Sequence, residues 1–151
     1  FGGHANACGI TIKKDHIDNF RKNINLVAKE VLTPDHLIPK LDIDMDISLA
    51  ALTEKVISDI DALTPFGIGN PKPLFATTKL KLKCPPKRLN RNGIKIWVTD
   101  GKLTVEAIAF GSVSELVPHT ADSFALAYTP SINSWQGIDS IQLELKDVKE
   151  K

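Results

Sequence analysis

With 151 residues, 42% of them apolar and 25% charged, the chain is long enough for one domain or two small lobes, and is neither a disordered tail nor a multidomain enzyme. No run approaches the ~18 apolar residues of a membrane span and the first residues lack a basic-then-apolar leader, so neither span nor signal peptide is expected and the expected location is the cytoplasm. The net charge of +1 is uneven: residues 1–70 carry 7 Lys/Arg against 10 Asp/Glu, residues 71–151 carry 12 against 8, and no acid separates Lys72 from Asp100, a pattern suited to a polyanion.

The chain opens on FGGHANACG. Gly2 and Gly3 permit unusual dihedrals or a close ligand, their amides can line an anion site, and His4 adds an imidazole donor. The alternative is a tight turn before a strand, with His4 incidental. CGITIK then reads as a short strand with Ile10 and Ile12 on one face. Asp15 caps a helix in which Ile17, Phe20, Ile24, Val27 and Val31 recur at three- and four-residue steps as a buried stripe, and Pro34 stops it.

LDIDMDIS, residues 41–48, alternates, so it reads as a strand whose wet face carries Asp42, Asp44 and Asp46. Strand neighbours two apart stand more than ~6 Å from one another and no histidine accompanies them; a solvated or edge-protecting face is preferred to a metal site. Ser48 caps a second helix, roughly 49–63, with Leu49, Leu52, Val56, Ile60 and Leu63 inward. TPFGIGNPKPLF cannot continue it. Phe66 and Ile68 are expected to pin this turn against a neighbour, as a structural joint or as part of a binding surface.

From Phe75 the period is two. Residues 75–84 set Ala76, Thr78, Leu80, Leu82 and Cys84 against Thr77, Lys79, Lys81 and Lys83; residues 94–99 set Ile94, Ile96 and Val98 against Lys95, Trp97 and Thr99; further strands are expected at 103–110, 124–129 and 140–146. PPKRLNRNG, TDG and SINSWQG join them as turns. Five short strands predict a small antiparallel barrel, because a flat sheet of this size leaves open edges, and the piece after Gly111 up to Pro118 is placed where such barrels insert a helix. The fold class is therefore α+β, divided near residue 70. Cys8 and Cys84 are expected as reduced thiols.

On the barrel, Lys79, Lys81 and Lys83 share a face, Lys87, Arg88 and Arg91 continue the charge through the next loop, and Lys95 follows. Trp97 and Trp135 offer planes on which bases could stack. In the other reading the lysines discourage edge pairing and Trp135 covers the barrel's end. His4 has neither a nucleophile nor an orienting partner nearby, and no carboxylate set suits two metal ions, so the chain contributes a donor to a site without building one.

GGHANACG resembles the GGHxxAxG element of the DHHA1 domain in DHH-family phosphoesterases. PFGIGNPKPLF, GIKIWV, VEAIAFG, SWQG and SIQLEL follow in the order found in the carboxyl-terminal half of that family's single-strand-specific exonucleases, so the resemblance covers nearly the whole chain. It implies a partial DHHA1-like lobe over 1–36, a connecting strand, helix and joint over 37–73, and an oligonucleotide-binding (OB) barrel over 74–151. It further implies that Gly2, Gly3 and His4 clamp a phosphate, with His4 stabilising charge on the phosphoryl oxygens, and that the barrel guides single-stranded DNA.

No DHH signature occurs here. The Mn2+ or Mg2+ ions of such an enzyme would lie in the DHH catalytic domain, which becomes the expected partner beside single-stranded DNA. The chain is thus expected to be a non-catalytic carboxyl-terminal fragment of a 5′–3′ exonuclease, binding no metal and inactive alone. The alternative is a protein–protein interaction module; a self-sufficient phosphodiesterase is disfavoured for lack of ligands.

Overall fold

The computed structural model describes residues 2–4, 7–90, 92–118 and 123–150, and the chain divides into two compact units, Phe1–Leu41 and Asp42–Lys151. In the first unit β1 (Gly2–His4) pairs antiparallel with β2 (Ala7–Gly9), partnering Gly2 with Gly9, Gly3 with Cys8 and His4 with Ala7. The glycine-histidine element is therefore a strand. The strand expected over CGITIK ends at Gly9, because the pairing ends there, and Ile10 and Ile12 lie exposed beyond it.

Helix α1 (Ile17–Val31) forms where the three-and-four spacing requires it. A 3-10 turn over Lys14–His16 absorbs Asp15, so His16 rather than Asp15 stands at the N-cap, without a side-chain bond. The stripe Ile17, Phe20, Ile24, Val27 and Val31 is exposed throughout, contrary to expectation. Periodicity specifies which face of a helix is apolar, not whether anything covers it.

The second unit contains β3 (Met45–Asp46), β4 (Phe75–Leu82), β5 (Lys87–Leu89), β6 (Gly93–Thr99), β7 (Thr104–Phe110), β8 (Phe124–Trp135) and β9 (Ile138–Glu150). Their order is β3-β4-β8-β9-β7-β6-β5, and an additional β4–β6 pairing closes β4, β8, β9, β7 and β6 into a circuit. The sheet is mixed, not purely antiparallel as expected. The β8–β9 hairpin enters between β4 and β7 and so lays β9 parallel to β7, while β3 runs parallel to β4. Inside lie Leu80, Ile94, Ile96, Val98, Ala107, Ala109, Phe124, Leu126, Tyr128, Leu143 and Leu145.

Of residues 37–73, expected as a connector, those from Asp42 onward fall within this unit. LDIDMDIS pairs over only two residues, held by Asp44 N–H to Leu74 C=O (2.9 Å) and Ile47 N–H to Ala76 C=O (2.8 Å); the Asp44 carboxylate accepts from Leu74 N–H at 2.8 Å. The expected 49–63 helix is broken into a 3-10 turn, Leu49–Ala51, and α2 (Glu54–Asp61). Thr53, not Ser48, caps α2 by accepting from Val56 N–H (3.2 Å), and the break turns Ile57 and Ile60 inward while Val56 and Leu63 stay exposed. In the following turn the Asn70 amide donates to Leu63 and Pro65 carbonyls and Gly67 pairs with Asn70, leaving Ile68 fully exposed at the tip instead of anchored.

Two further departures shape the sheet. Lys79 adopts φ 59° and the β4–β8 register shifts between Thr77 and Leu80, so a bulge reverses the expected faces: Thr77 is buried and Thr78 exposed. The piece after β7 is a five-residue 3-10 turn, Gly111–Glu115, that delivers Val117 to the core rather than a full helix.

Thr77 donates its hydroxyl proton to Ile47 C=O at 2.7 Å, so the buried Tyr128 hydroxyl, 2.7 Å away, donates to Thr77 Oγ. Burial is the first cause that raises the Tyr128 pKa above 10.0, and the Asp46 charge adds to it. A raised folded-state value means this contribution to stability is complete below pH ~10 and is lost as pH climbs through the folded-state value. Tyr128 is the single tyrosine. Phenolate absorption is thus expected to appear only above pH ~10, together with loss of near-ultraviolet dichroism, and a free-tyrosine titration in folded protein would contradict the assignment.

Candidate nucleic-acid interface

Alternation along β6 sends Ile94, Ile96 and Val98 into the core and leaves Lys95, Trp97 and Thr99 on the outer face. β7 does the same with Ala107 and Ala109 inward and Glu106 and Ile108 outward. Register then builds rows across the strands. Trp97 lies opposite Glu106, and Glu106 beside Gln142 of β9. On the other side, Lys83 N–H donates to Trp97 C=O at 2.8 Å, putting Lys83 at the end of the same row, while Lys81 lies opposite Thr99 and Lys87 opposite Lys95.

A charged network occupies the middle of this face. Lys95 Nζ stands 2.9 Å from Glu106 Oε2 and 5.8 Å from the centre of the Trp97 ring, and the Gln142 amide donates to Glu106 Oε1. Both members of the ion pair are three-quarters or more covered. Lys95 is thereby neutralised locally, whereas Lys81, Lys83 and Lys87 form no ion pair among the described residues. Strands β6 and β7 thus present a near-neutral aromatic floor, flanked by cations on the β4 and β5 side.

At the opposite side Trp135 and Ile138 face each other across the turn at Gln136 and Gly137, whose φ values of 51° and 79° fit a two-residue hairpin. SINSWQG is therefore mostly strand. Trp135 is 70% exposed, so it does not serve as a lid on the core. Lys95, Glu106, Asn133, Trp135, Ile138 and Ser140 line one groove between this hairpin and the β6–β7 face.

Not every sequence-selected residue joins this surface. PPKRLNRNG contains the unforeseen strand β5, whose alternation places Lys87 with Lys95 but sends Arg88 opposite Ile94, where it lines a different cavity with Asn92, Ser114 and Glu115. Lys79 sits in the bulge, off the ladder that orders Lys81 and Lys83. Arg91 lies outside the described residues. Glu106, Gln142 and Asn133 were not singled out from sequence. Glu106 was legible as the acid on the wet face of VEAIAFG, facing Lys95's strand, but Gln142 reaches it only through the parallel β7–β9 pairing.

In the first unit, a Cβ on Gly3 would meet Cys8 Cα at 2.6 Å, so the hairpin itself requires glycine there. Gly2 has open space where its Cβ would be, and His4 is exposed. Among the described residues no group of three or more His, Cys, Asp or Glu could hold a metal ion, and no helix is long and apolar enough to cross a membrane.

A family model described as RecJ OB domain matches residues 43–147. The single-stranded-DNA-specific exonuclease RecJ of Bacillus subtilis is 28% identical over 151 residues, covering 97% of this chain and 19% of the relative; that of Haemophilus influenzae is 29% identical over 146 residues, covering 95% and 25%. The crystal structure of RecJ in complex with Mn2+ from Thermus thermophilus superposes with a TM-score of 0.78 at 20% identity, over 99% of this chain and 22% of that one. The chain thus spans about a fifth to a quarter of the relatives it matches.

Proposed function

Since the chain belongs to the RecJ OB domain family, we propose that its second unit holds single-stranded DNA across the outer face of β6 and β7, as the non-catalytic carboxyl-terminal part of a longer 5′–3′ exonuclease. The observation that carries this reading is the row Lys83, Trp97, Glu106, Gln142, which runs from cation through aromatic plane to polar groups. Phosphates follow Lys81, Lys83 and Lys87, while bases stack on Trp97 and Trp135. OB folds receive oligonucleotides on their second and third strands and flanking hairpins. β6 and β7 occupy those ranks when the closed circuit is taken as the five-stranded barrel.

The first unit is read as part of a DHHA1-like lobe. Its Gly2 and Gly3 amides and His4 imidazole donate to a phosphate near the cleavage point of the longer enzyme, a role supported by the exposure of His4 and the space around Gly2. Mn2+ or Mg2+ would supply the activated water there, but the described residues of this chain do not fit such ions. In this reading hydrolysis belongs to the DHH domain of the longer enzyme, and this chain contributes grip on the phosphate.

The exposed apolar stripe of α1 favours a second role, contact with the catalytic domain of the same polypeptide.

The test of DNA binding is fluorescence anisotropy with a labelled single-stranded 12-mer and its duplex. Saturable binding that prefers the single strand and weakens as salt rises is expected. Absence of binding at low salt, or equal affinity for duplex, would remove the reading.

A further inference from the structure

Glu106 is an anion in the floor of a surface assigned to a polyanion, and repulsion alone makes it a poor place for phosphate. It is not an idle charge. Lys95 and Gln142 each bond one of its oxygens, fixing the carboxylate plane, and each oxygen keeps a further lone pair. The groove it lines is shared with Lys95, Asn133 and Ser140 and with the exposed Trp135 and Ile138. Trp97 lies directly across the β6–β7 ladder.

Resting on the single-strand reading above, we propose that Glu106 is a base-edge acceptor, which excludes phosphate from the groove floor and selects bases bearing an exocyclic amine, such as cytosine, over thymine. A cytosine stacked on an indole offers its N4 amino protons to Glu106 and its N3 lone pair to Lys95, so one acceptor and one donor side by side match its edge. Thymine presents a carbonyl where cytosine presents the amine, and places that carbonyl against the carboxylate. Gln142 is a positioning residue: it touches no base and holds Glu106 in plane.

The experiment is anisotropy competition by oligodeoxycytidylate, oligothymidylate and an abasic strand of equal length, on the whole chain and on Glu106→Gln. Replacing the carboxylate by an amide keeps its volume and puts a donor where only acceptors stood. The cytidylate-to-thymidylate affinity ratio is expected to fall about tenfold in Glu106→Gln, while affinity for the abasic strand rises because the repulsion is gone. Tyr128 absorption and thermal melting of both proteins check that the fold is kept. An unchanged ratio in the variant overturns the proposal while leaving single-strand binding intact; failure of the unsubstituted chain to bind any oligonucleotide overturns the function from which it starts.

Discussion

Replacing Lys81, Lys83 and Lys87 together by glutamine is expected to weaken single-strand binding on the order of 100-fold at low salt and to reduce the slope of log affinity against log salt by about 2. Each cation that neutralises a phosphate releases about 0.7 counterion from a single strand, so three residues set that slope change. The gap between the two proteins should therefore narrow about twentyfold as salt rises from ~50 to ~200 mM. Position matters as much as charge. Lys81 and Lys83 flank β6 through β4, Lys87 flanks it through β5, and none of the three has an ion-pair partner among the described residues. Lys55, bound to Asp59 at 2.9 Å on α2, is the matched control, and its glutamine variant should bind as the unsubstituted chain does. A loss at Lys55 equal to about a third of the triple variant's on a logarithmic scale, one charge against three, would mean that net charge, not this face, determines affinity.

Leu143→Ala is expected to give the largest loss of stability. Leu143 is fully buried on β9, lies opposite Ala107 of β7 and Pro130 of β8, and so sits where the parallel and antiparallel pairings meet. Its neighbours belong to strands closed on one another and cannot collapse into the space left behind. Removing a buried leucine costs about 2–5 kcal/mol, and more when the cavity persists. For a unit of this size that lowers the melting temperature by about 10–20 °C, measurable by calorimetry. Ile68→Ala, at an exposed tip, should change it by no more than ~0.5 kcal/mol. A small effect at Leu143 would show that the circuit of strands is not a tightly packed core. The same closure curves β6 and β7 and fixes the distance from Trp97 to Glu106, so Leu143→Ala should also weaken DNA binding near its melting range.

The alternation of Ile94, Ile96 and Val98, or of Ala107 and Ala109, identified strands and their inner faces directly, because a two-sided strand must send every second side chain into the core. Lys95, Trp97 and the lysines of β4 were legible as the wet side for the same reason. β5 was hidden because prolines and asparagines surround three residues that pair on one edge only. The Lys79 bulge depends on register with β8, and the division of the 49–63 helix on which leucines the core of the sheet accepts; neither is a property of local spacing. The apolar stripe of α1 was read correctly as a stripe and incorrectly as buried, since a single segment carries no record of its cover. Sequence alone therefore determined which side chains face water along β6 and β7. Only the tertiary pairing decided which of them meet: Gln142 touches Glu106 across 36 intervening steps of chain because β9 returns parallel to β7, and hydrogen-bond register between distant strands is set by closure of the whole sheet.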